Sequence, residues 1–286
     1  MNELLIQTRD ALLEAGVSPK KALSQNFLIN ENVLNRQIDY ALLTKNDIVL
    51  EIGGGTGTLT EKLNKKVKKV ISIEYDKNLS NYLIRKFQKN NNVTIINSDV
   101  LKIDLPIADK VVANLPYHLS SPITFKLLNY KFSIAILMYQ YEFAQRMIAL
   151  PGSKDYSRLT ANLQLLADVI ILERVPRSYF YPMPKVDSAI VKIIPKKKIP
   201  PVNIESYQII TRILFNNKNK LVSAVLYEYF RKIIPKDERI NFKNALYNEI
   251  SCIKKRVRNL TVEELIDITK DLTNFLERSM KIELLK

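Results

Sequence analysis

The sequence predicts an α/β fold with a mostly parallel sheet, followed by a smaller helical domain. Short β-rich runs alternate with helical patterns through the first two thirds of the chain, which is typical of parallel strands covered by helices. A glycine-rich turn follows the first of these runs. A lysine run and paired prolines at residues 196–201 then separate this part from a helical remainder.

Seven runs carry the strand signal. They span residues 48–51, 70–74, 93–97, 110–114, 134–139, 169–173 and 189–194. Residues 176–184, which join the last two runs, are proline-rich and too short for a crossover helix. We therefore expect the final two strands to form an antiparallel pair. Seven strands ending in such a hairpin fit a methyltransferase-type, Rossmann-like sheet better than a six-stranded dinucleotide fold.

The second domain is predicted to be helical. Thr261 and Glu264 have the spacing of a capping box, which opens an amphipathic helix. The apolar face of that helix comprises Leu265, Ile268, Leu272 and Phe275. The expected domains are residues 1–195 and 199–286, within the typical size range of domains.

The composition favours a partner that carries negative charge. The 286 residues include 44 Lys and Arg against 29 Asp and Glu, for a net charge of +15 and a pI of about 9.6. Such a balance indicates a polyanion or an anionic membrane surface. No apolar run is long enough to cross a bilayer, and residues 1–10 lack a basic region followed by an apolar one. We therefore expect a soluble, unsecreted protein.

The cysteine and histidine counts restrict the chemistry. Cys252 is the only cysteine and His118 the only histidine. An internal disulfide and a thiolate metal cluster are excluded, and a zinc site is not expected. The predicted reaction uses neither a metal nor a Ser-His or Cys-His pair.

The glycine-rich turn runs from Glu51 to Gly57 and has glycines at positions 53, 54, 55 and 57. Glycines are needed where the backbone turns sharply and passes close to a ligand. A dinucleotide fingerprint requires glycine or alanine at the next position, which is Thr58 here. S-adenosylmethionine (SAM) has no phosphate and needs only a loop that lets backbone reach its methionine and ribose portions.

Two further acids follow the next two strands. Glu74 closes the second strand, where a carboxylate can accept from both ribose hydroxyls. Asp99 follows the third strand, where it can accept from an adenine amine while the Val100 N–H donates to the ring. Either acid taken singly is better explained by a surface position or a helix cap. Their shared position at the carboxyl ends of consecutive strands, together with Glu51, favours a ligand site, since open α/β sheets bind ligands at that edge.

Asn114-Leu115-Pro116-Tyr117 ends the fourth strand and points to methylation of an exocyclic amine. Such a nitrogen is a poor nucleophile because its lone pair is delocalised into the ring. The Asn114 side chain and the Leu115 carbonyl could accept both N–H hydrogens and aim the lone pair at a methyl donor. Tyr117 could then stack on the base. The alternative is that the tetrapeptide only ends a buried strand with a turn.

In this order, these motifs closely resemble the ribosomal RNA adenine N6,N6-dimethyltransferases of the KsgA type. Two further segments support the resemblance. Residues 21–28 belong to an N-terminal motif, at 18–30, that lies over SAM in that family. Residues 180–188 are similar to the family's late Phe-x-Pro-x-Pro-Lys-Val-Asp-Ser signature. The resemblance is clear over residues 18–195 and weaker beyond. It implies a seven-stranded SAM-dependent fold that dimethylates two neighbouring adenosines near the 3′ end of small-subunit ribosomal RNA, in ribosome biogenesis.

The resemblance also implies the residues of the site. The residues expected to hold SAM are Gln25, Asn26, Leu28, Glu51, Gly53, Gly55, Glu74, Asp99, Val100 and Asn114. Asn114, Leu115, Tyr117 and Phe180 are expected to hold the flipped adenine, with Phe180 opposite Tyr117. His118 departs from the asparagine of many members, and we interpret it as packing or loop capping. The expected partner is small-subunit ribosomal RNA in a pre-ribosomal subunit, with the protein cytoplasmic and monomeric and residues 199–286 binding RNA.

Three other functions compete with this interpretation. An antibiotic-resistance methyltransferase acting on large-subunit RNA shares the fold and the Asn-x-Pro-aromatic motif. A non-catalytic RNA-binding assembly factor predicts loss of the SAM or amine-holding residues, and the sequence retains them. A nicotinamide oxidoreductase is disfavoured by Thr58 and by the lack of a Tyr-x-x-x-Lys pair or a positioned histidine for hydride transfer.

Overall fold

The structure is a computed structural model that describes residues 2–19 and 25–278. Lys21 to Ser24 of the expected N-terminal motif lie outside the described residues. The chain forms two compact units, one of Met1–Gln145 and Ala167–Pro195, the other of Arg146–Leu166 and Lys196–Lys286. This division differs from the expected domains of 1–195 and 199–286 in residues 146–166, which belong to the second unit.

A seven-stranded mixed sheet forms the centre of the first unit, as predicted. Its strands are β2 (Ile48–Ile52), β3 (Lys69–Glu74), β4 (Val93–Asn97), β5 (Lys110–Asn114), β6 (Ile134–Gln140), β7 (Ala167–Val175) and β9 (Ser188–Pro195), in the order β4-β3-β2-β5-β6-β9-β7. Strands β2 to β6 are parallel, whereas β9 pairs antiparallel with both β6 and β7. The predicted antiparallel pair is therefore confirmed, and β7 extends two residues beyond its expected span at each end.

A second, two-stranded sheet was not predicted. Strand β1 (Phe27–Leu28) pairs antiparallel with β8 (Phe180–Tyr181), so that Leu28 lies opposite Phe180. The Ile29 N–H extends the pairing by donating to the Tyr179 carbonyl at 2.8 Å. This short sheet brings a segment near the N-terminus beside the proline-rich connection that precedes β9.

In the part of the chain that the structure describes, six helices accompany the sheet: α1 (Glu3–Glu14), α2 (Glu31–Tyr40), α3 (Thr58–Asn64), α4 (Lys77–Lys86), α5 (Ser120–Leu128) and α6 (Tyr141–Met147). The N-caps of α1, α2 and α4 are Asn2, Asn30 and Asp76, whose side chains accept from backbone N–H groups of the first turn. Helices α2 and α3 bury their apolar residues in one cluster with β2, β3, β5 and β6. Helices α1 and α4 form another cluster with β4. Burial on this scale dominates the stability of the sheet.

The second unit is helical, as expected for residues 199–286. Its helices are α7 (Arg158–Leu166), α8 (Ile204–Phe215), α9 (Val222–Phe230), α10 (Arg239–Glu249) and α11 (Val262–Arg278). The predicted capping box is confirmed, because the Thr261 N–H donates to Glu264 at 3.1 Å and the Glu264 N–H donates to Thr261 Oγ1 at 3.2 Å. All four predicted apolar residues of α11 are buried. No described helix of the protein combines the length and apolarity needed to cross a membrane.

Buried polar contacts explain why residues 146–166 belong to the helical unit. The Tyr207 hydroxyl of α8 donates to the Ala161 carbonyl of α7 at 3.2 Å, and Asn162 Nδ2 donates to Thr211 Oγ1 at 3.0 Å. The ring of Tyr156, which is fully buried, meets the ring of Phe215 edge-on at 5.5 Å. A buried polar group is costly unless it is paired, so these bonds fix α7 against α8.

Candidate active site

A single cavity of about 310 Å³ in the first unit collects every residue expected in the site. It lies at the carboxyl ends of β2, β3, β4 and β5. The expected residues that line it are Gln25, Asn26, Leu28, Glu51, Gly53, Gly55, Glu74, Asp99, Val100, Asn114, Leu115, Tyr117 and Phe180. Open α/β sheets bind ligands at this edge, so the geometry matches the expected position of a site.

The glycine turn follows β2 and requires glycine for two reasons. Gly53 and Gly55 adopt φ values of 82° and 56°, which favour glycine over other residues. A side chain at Gly55 would also begin 3.1 Å from the Phe27 ring, and one at Gly53 would begin 3.7 Å from the Asn114 carbonyl oxygen. The turn therefore brings bare backbone to the cavity wall, next to the residue that ends β5.

Glu74 fixes this turn from the neighbouring strand. Its Oε2 accepts from the Gly55 N–H at 2.8 Å, and its Oε1 accepts from the Asp76 N–H at 2.8 Å. Burial raises the pKa of Glu74, while the two backbone donors lower it. Each carboxylate oxygen can accept a further hydrogen bond, so the same group can hold the loop and a ligand.

Glu51 is fully buried at the end of β2 and is the most perturbed acid of the site. Thr60 Oγ1 donates to its Oε2 at 2.6 Å, whereas no described residue donates to its Oε1. Burial raises the pKa of Glu51 to about 8. The side chain is therefore largely a neutral carboxylic acid at pH 7, which can donate as well as accept.

Asp99 lies just beyond β4, with Val100 buried beside it. Asp99 Oδ1 accepts from the Leu101 N–H at 2.9 Å, and Oδ2 is 4.0 Å from Lys102 Nζ. The local turn thus fixes the carboxylate through one of its oxygens. The second oxygen, at the limit of ion-pair distance from Lys102, can accept from a ligand.

Asn114 carries an unpartnered acceptor in the cavity wall. It ends β5 between β2 and β6, opposite Met138. Its Oδ1 atom is buried, and no described residue donates to it. A buried acceptor without a donor costs free energy of about 1–3 kcal/mol. Such an atom in a cavity indicates a ligand that brings the missing N–H.

Two aromatic side chains complete the cavity. Tyr117 begins a short 3₁₀ turn after Pro116, and its hydroxyl forms a hydrogen bond of 2.5 Å with Ser188 Oγ. Burial raises the pKa of Tyr117 to about 12. Phe180, only 3% exposed, reaches the cavity from β8. The two rings therefore come from segments 63 residues apart in the chain.

Some lining residues were missed by the sequence analysis. Tyr75 directly follows Glu74, lines the cavity and is 63% exposed. Its signal was available, since an aromatic residue after a strand-terminal acid at this edge can cover a ligand. Phe27 and Met138 also line the cavity, but their apolar strands gave no reason to separate them from the core. Among residues 2–19 and 25–278, no group of three or more His, Cys, Asp or Glu is arranged to hold a metal.

Comparison with known proteins gives consistent matches. A family model described as "Ribosomal RNA adenine dimethylase" matches residues 16–273. A protein of Methanosarcina acetivorans named "Probable ribosomal RNA small subunit methyltransferase A" is 43% identical over 256 residues, covering 89% of this chain and 94% of its own. A protein of the same name from Pyrococcus abyssi is 42% identical over 261 residues, covering 91% and 94%.

Two solved structures extend this likeness to the fold. A dimethyladenosine transferase from Plasmodium falciparum superposes with a TM-score of 0.74 at 33% identity, covering 89% of this chain and 98% of that one. The 23S rRNA methyltransferase ErmE superposes with a TM-score of 0.61 at 27% identity, covering 86% and 99%.

Proposed function

The chain belongs to the ribosomal RNA adenine dimethylase family, and from this premise we propose that it dimethylates N6 of two adjacent adenosines near the 3′ end of small-subunit ribosomal RNA. The observation that carries the proposal is the buried Oδ1 of Asn114, to which none of the described residues donates, in a cavity flanked by Tyr117 and Phe180. An exocyclic amine supplies the missing N–H, and its ring fits between aromatic side chains.

The methyl donor is SAM, and the cavity suits it. Glu74 would accept from the ribose hydroxyls, while Asp99 and the Val100 N–H would pair with the adenine edge. Gly53 and Gly55 would let the backbone hold the methionine portion, because neither position carries a side chain. The other proposed contacts are Gln25, Asn26, Leu28, Glu51 and Asn114. When bound, SAM supplies an electrophilic methyl group on a sulfonium, which needs no metal or nucleophilic side chain.

The chemistry of the adenine amine determines how the site must hold the methyl acceptor. Asn114 Oδ1 and the Leu115 carbonyl accept the two N–H hydrogens, which favours the tetrahedral nitrogen of the transition state over the planar ground state. Tyr117 and Phe180 hold the extruded base by stacking, and base–aromatic stacking contributes about 1–3 kcal/mol per base. In the first transfer the amine nitrogen releases one proton to solvent and S-adenosylhomocysteine leaves the cavity, so one N–H remains. The same acceptors can orient the nitrogen for a second transfer from a new SAM molecule.

The helical unit supports RNA binding through basic segments that converge. The Gly152 N–H donates to the Arg258 carbonyl at 2.6 Å, and the Arg258 N–H donates to the Lys218 carbonyl at 2.8 Å. Lys218 Nζ in turn donates to the Lys154 and Tyr156 carbonyls at 2.7 and 2.8 Å. Three basic segments, 152–158, 216–220 and 254–258, are therefore close together. We assign phosphate contacts to this convergence.

The relatives' names favour the small subunit over the large one. The relatives at 41–43% identity are named small-subunit methyltransferases, whereas the 23S rRNA methyltransferase ErmE is 27% identical. The proposed substrate is a pre-ribosomal subunit, and we propose that the enzyme acts on it as a monomer in the cytoplasm. Sedimentation of the purified protein alone tests whether it is a monomer, and sedimentation with ribosomal subunits tests whether it binds them.

The testing experiment uses labelled SAM and unmethylated ribosomal subunits of both sizes. We expect label only in the small subunit, at two adjacent adenosines, each converted to N6,N6-dimethyladenosine. Label in the large subunit would establish the resistance-type alternative. Small subunits that bind the protein but take up no label would establish a non-catalytic assembly factor.

A further inference from the structure

The two aromatic walls of the cavity are attached to the same pair of neighbouring residues at the start of β9. The Tyr117 hydroxyl is hydrogen-bonded to Ser188 Oγ at 2.5 Å. Asp187 Oδ1 accepts from the Arg177 N–H at 3.0 Å, and Arg177 begins the short 3₁₀ turn that leads directly into Phe180. One dipeptide therefore contacts the ring of one wall and the backbone that precedes the other.

Ser188 is a rigid anchor because of its place in the sheet. It is fully buried and lies opposite Gln140 of β6 on one side and Val175 of β7 on the other. A residue hydrogen-bonded into a central strand has little freedom of movement. The Tyr117 backbone lies in a turn, whereas its hydroxyl is hydrogen-bonded to the sheet through Ser188. This bond limits rotation of the Tyr117 ring.

Asp187 is fixed independently of Ser188. Its Oδ2 accepts from Arg174 Nε at 2.9 Å and lies 2.8 Å from the second guanidinium nitrogen, while its own carbonyl accepts from the Tyr141 N–H at 2.9 Å. Arg174 also lies over the Tyr141 ring, at 4.6 Å from its centroid. Asp187, which orients the turn before Phe180, is therefore attached to β7 through its carboxylate and to the start of α6 through its carbonyl.

We propose that Asp187 and Ser188 are positioning residues that set the two aromatic walls at the orientation needed to hold one base. This inference rests on the proposed function, because it assumes that Tyr117 and Phe180 hold the adenine. Neither residue touches the reacting atoms. Each acts through an aromatic residue, so removing it misplaces the base relative to the Asn114 acceptor without removing the acceptor.

The test for Ser188 is a double-mutant cycle of Ser188→Ala and Tyr117→Phe. Both variants remove the same hydrogen bond and keep the ring. We expect each to lower the single-turnover rate of methyl transfer about three- to tenfold, with SAM affinity changed less than twofold. In the Tyr117→Phe background, Ser188→Ala should have no further effect. Additive losses, or a normal rate in Ser188→Ala, would overturn the role of Ser188.

A matched control separates positioning from general stability. Tyr139 and Thr124 form another buried tyrosine–hydroxyl pair of the same unit, at 2.9 Å, and neither lines the cavity. Tyr139→Phe should lower the melting temperature about as much as Tyr117→Phe while leaving the methyl-transfer rate unchanged. A rate loss in Tyr139→Phe equal to that of Ser188→Ala would assign both effects to stability and overturn the positioning role.

The test for Asp187 uses a second cycle, of Asp187→Asn and Phe180→Ala. Asp187→Asn should lower the rate in the wild-type background and have no further effect once the Phe180 ring is absent. An equal loss in both backgrounds would overturn the link to Phe180. If the wild-type protein does not methylate adenosine N6, the proposed function is wrong. If the wild type is active but the rate losses of the paired variants are additive, only the positioning role is wrong.

Discussion

Glu74 combines a structural and a binding task at one carboxylate, because it accepts from the Gly55 N–H and is proposed to accept from the ribose. Glu74→Ala should weaken SAM binding by about 2–3 kcal/mol, roughly ten- to a hundredfold, through loss of charge-assisted hydrogen bonds and a loosened turn. Isothermal titration with SAM measures this loss. Asp99→Ala, the companion variant, should lose less, since the adenine amine can be partly rehydrated. Unchanged affinity in a folded Glu74→Ala protein contradicts the assignment.

Glu51 provides a pH test that is independent of activity. Its folded-state pKa of about 8 lies above the value of 4.5 expected for the unfolded chain. A carboxylic acid whose pKa is raised by folding contributes stability that is fully present below pH 4.5 and is lost as the pH rises through 8. The melting temperature of wild type should therefore fall between pH 5 and 8 relative to Glu51→Gln. Parallel curves for the two proteins would show that Glu51 is ionised at neutral pH.

Sequence reasoning at the residue scale was most effective where chemistry limits the residue type. The expected acids, glycines and the Asn-Leu-Pro-Tyr motif line one cavity because they occur at strand ends, and parallel strands end at the same edge. Gln25, Asn26, Leu28 and Phe180 line it too, and only the family resemblance implied them. The proposed positioning role of Ser188 could not be predicted, because it depends on a hydrogen bond between residues 71 positions apart. The roles of all these residues remain predictions for the variants described above.

The elements of the sheet were predictable because their β-rich runs are four residues or longer and contain β-branched side chains. Strands β1 and β8 have two residues each, which is too short for any periodicity. Residues 146–166 precede β7 in the chain, yet the partners that hold them, such as Thr211 and Phe215, occur about fifty residues later. Sequence proximity alone does not indicate these partners.

The basic segment 254–258 is not uniform, so its residues have different expected effects. Lys255 forms an ion pair with the capping-box residue Glu264, and the Arg256 guanidinium donates to the Asn219 carbonyl. Replacing Lys255 or Arg256 should therefore disturb the helical unit itself. Lys254 and Arg258 have exposed side chains and are better candidates for phosphate contacts.

Replacing both Lys254 and Arg258 by glutamine should reduce the salt dependence of subunit binding. The slope of log affinity against log salt for subunit binding should become shallower by about one for each phosphate that is no longer neutralised. SAM affinity should not change. The control is the double variant Lys236→Gln and Lys270→Gln, which removes the same charge at other exposed positions of this unit. Its slope should stay near the wild-type value. Equal slopes for all three proteins would mean that RNA is bound elsewhere.

The charge of the whole molecule and the specificity of its site are expected to act separately. A net charge of +15 favours association with any RNA through counterion release. Selection of adenine depends on the Asn114, Leu115, Tyr117 and Phe180 pocket, which recognises an amine and a ring. High salt should therefore weaken RNA binding without changing which base is methylated, as mapping of modified bases at two salt concentrations can verify.

The most direct measurement is the single-turnover rate of methyl transfer by Asn114→Ala, with saturating SAM and unmethylated small subunits. The proposed acceptor matters most as the amine becomes tetrahedral, so the rate should fall on the order of a hundredfold. Subunit affinity, measured in parallel, should stay within a few-fold of wild type. A normal rate, or a decrease explained entirely by weaker subunit binding, would contradict the proposal that Asn114 orients the adenine amine for transfer.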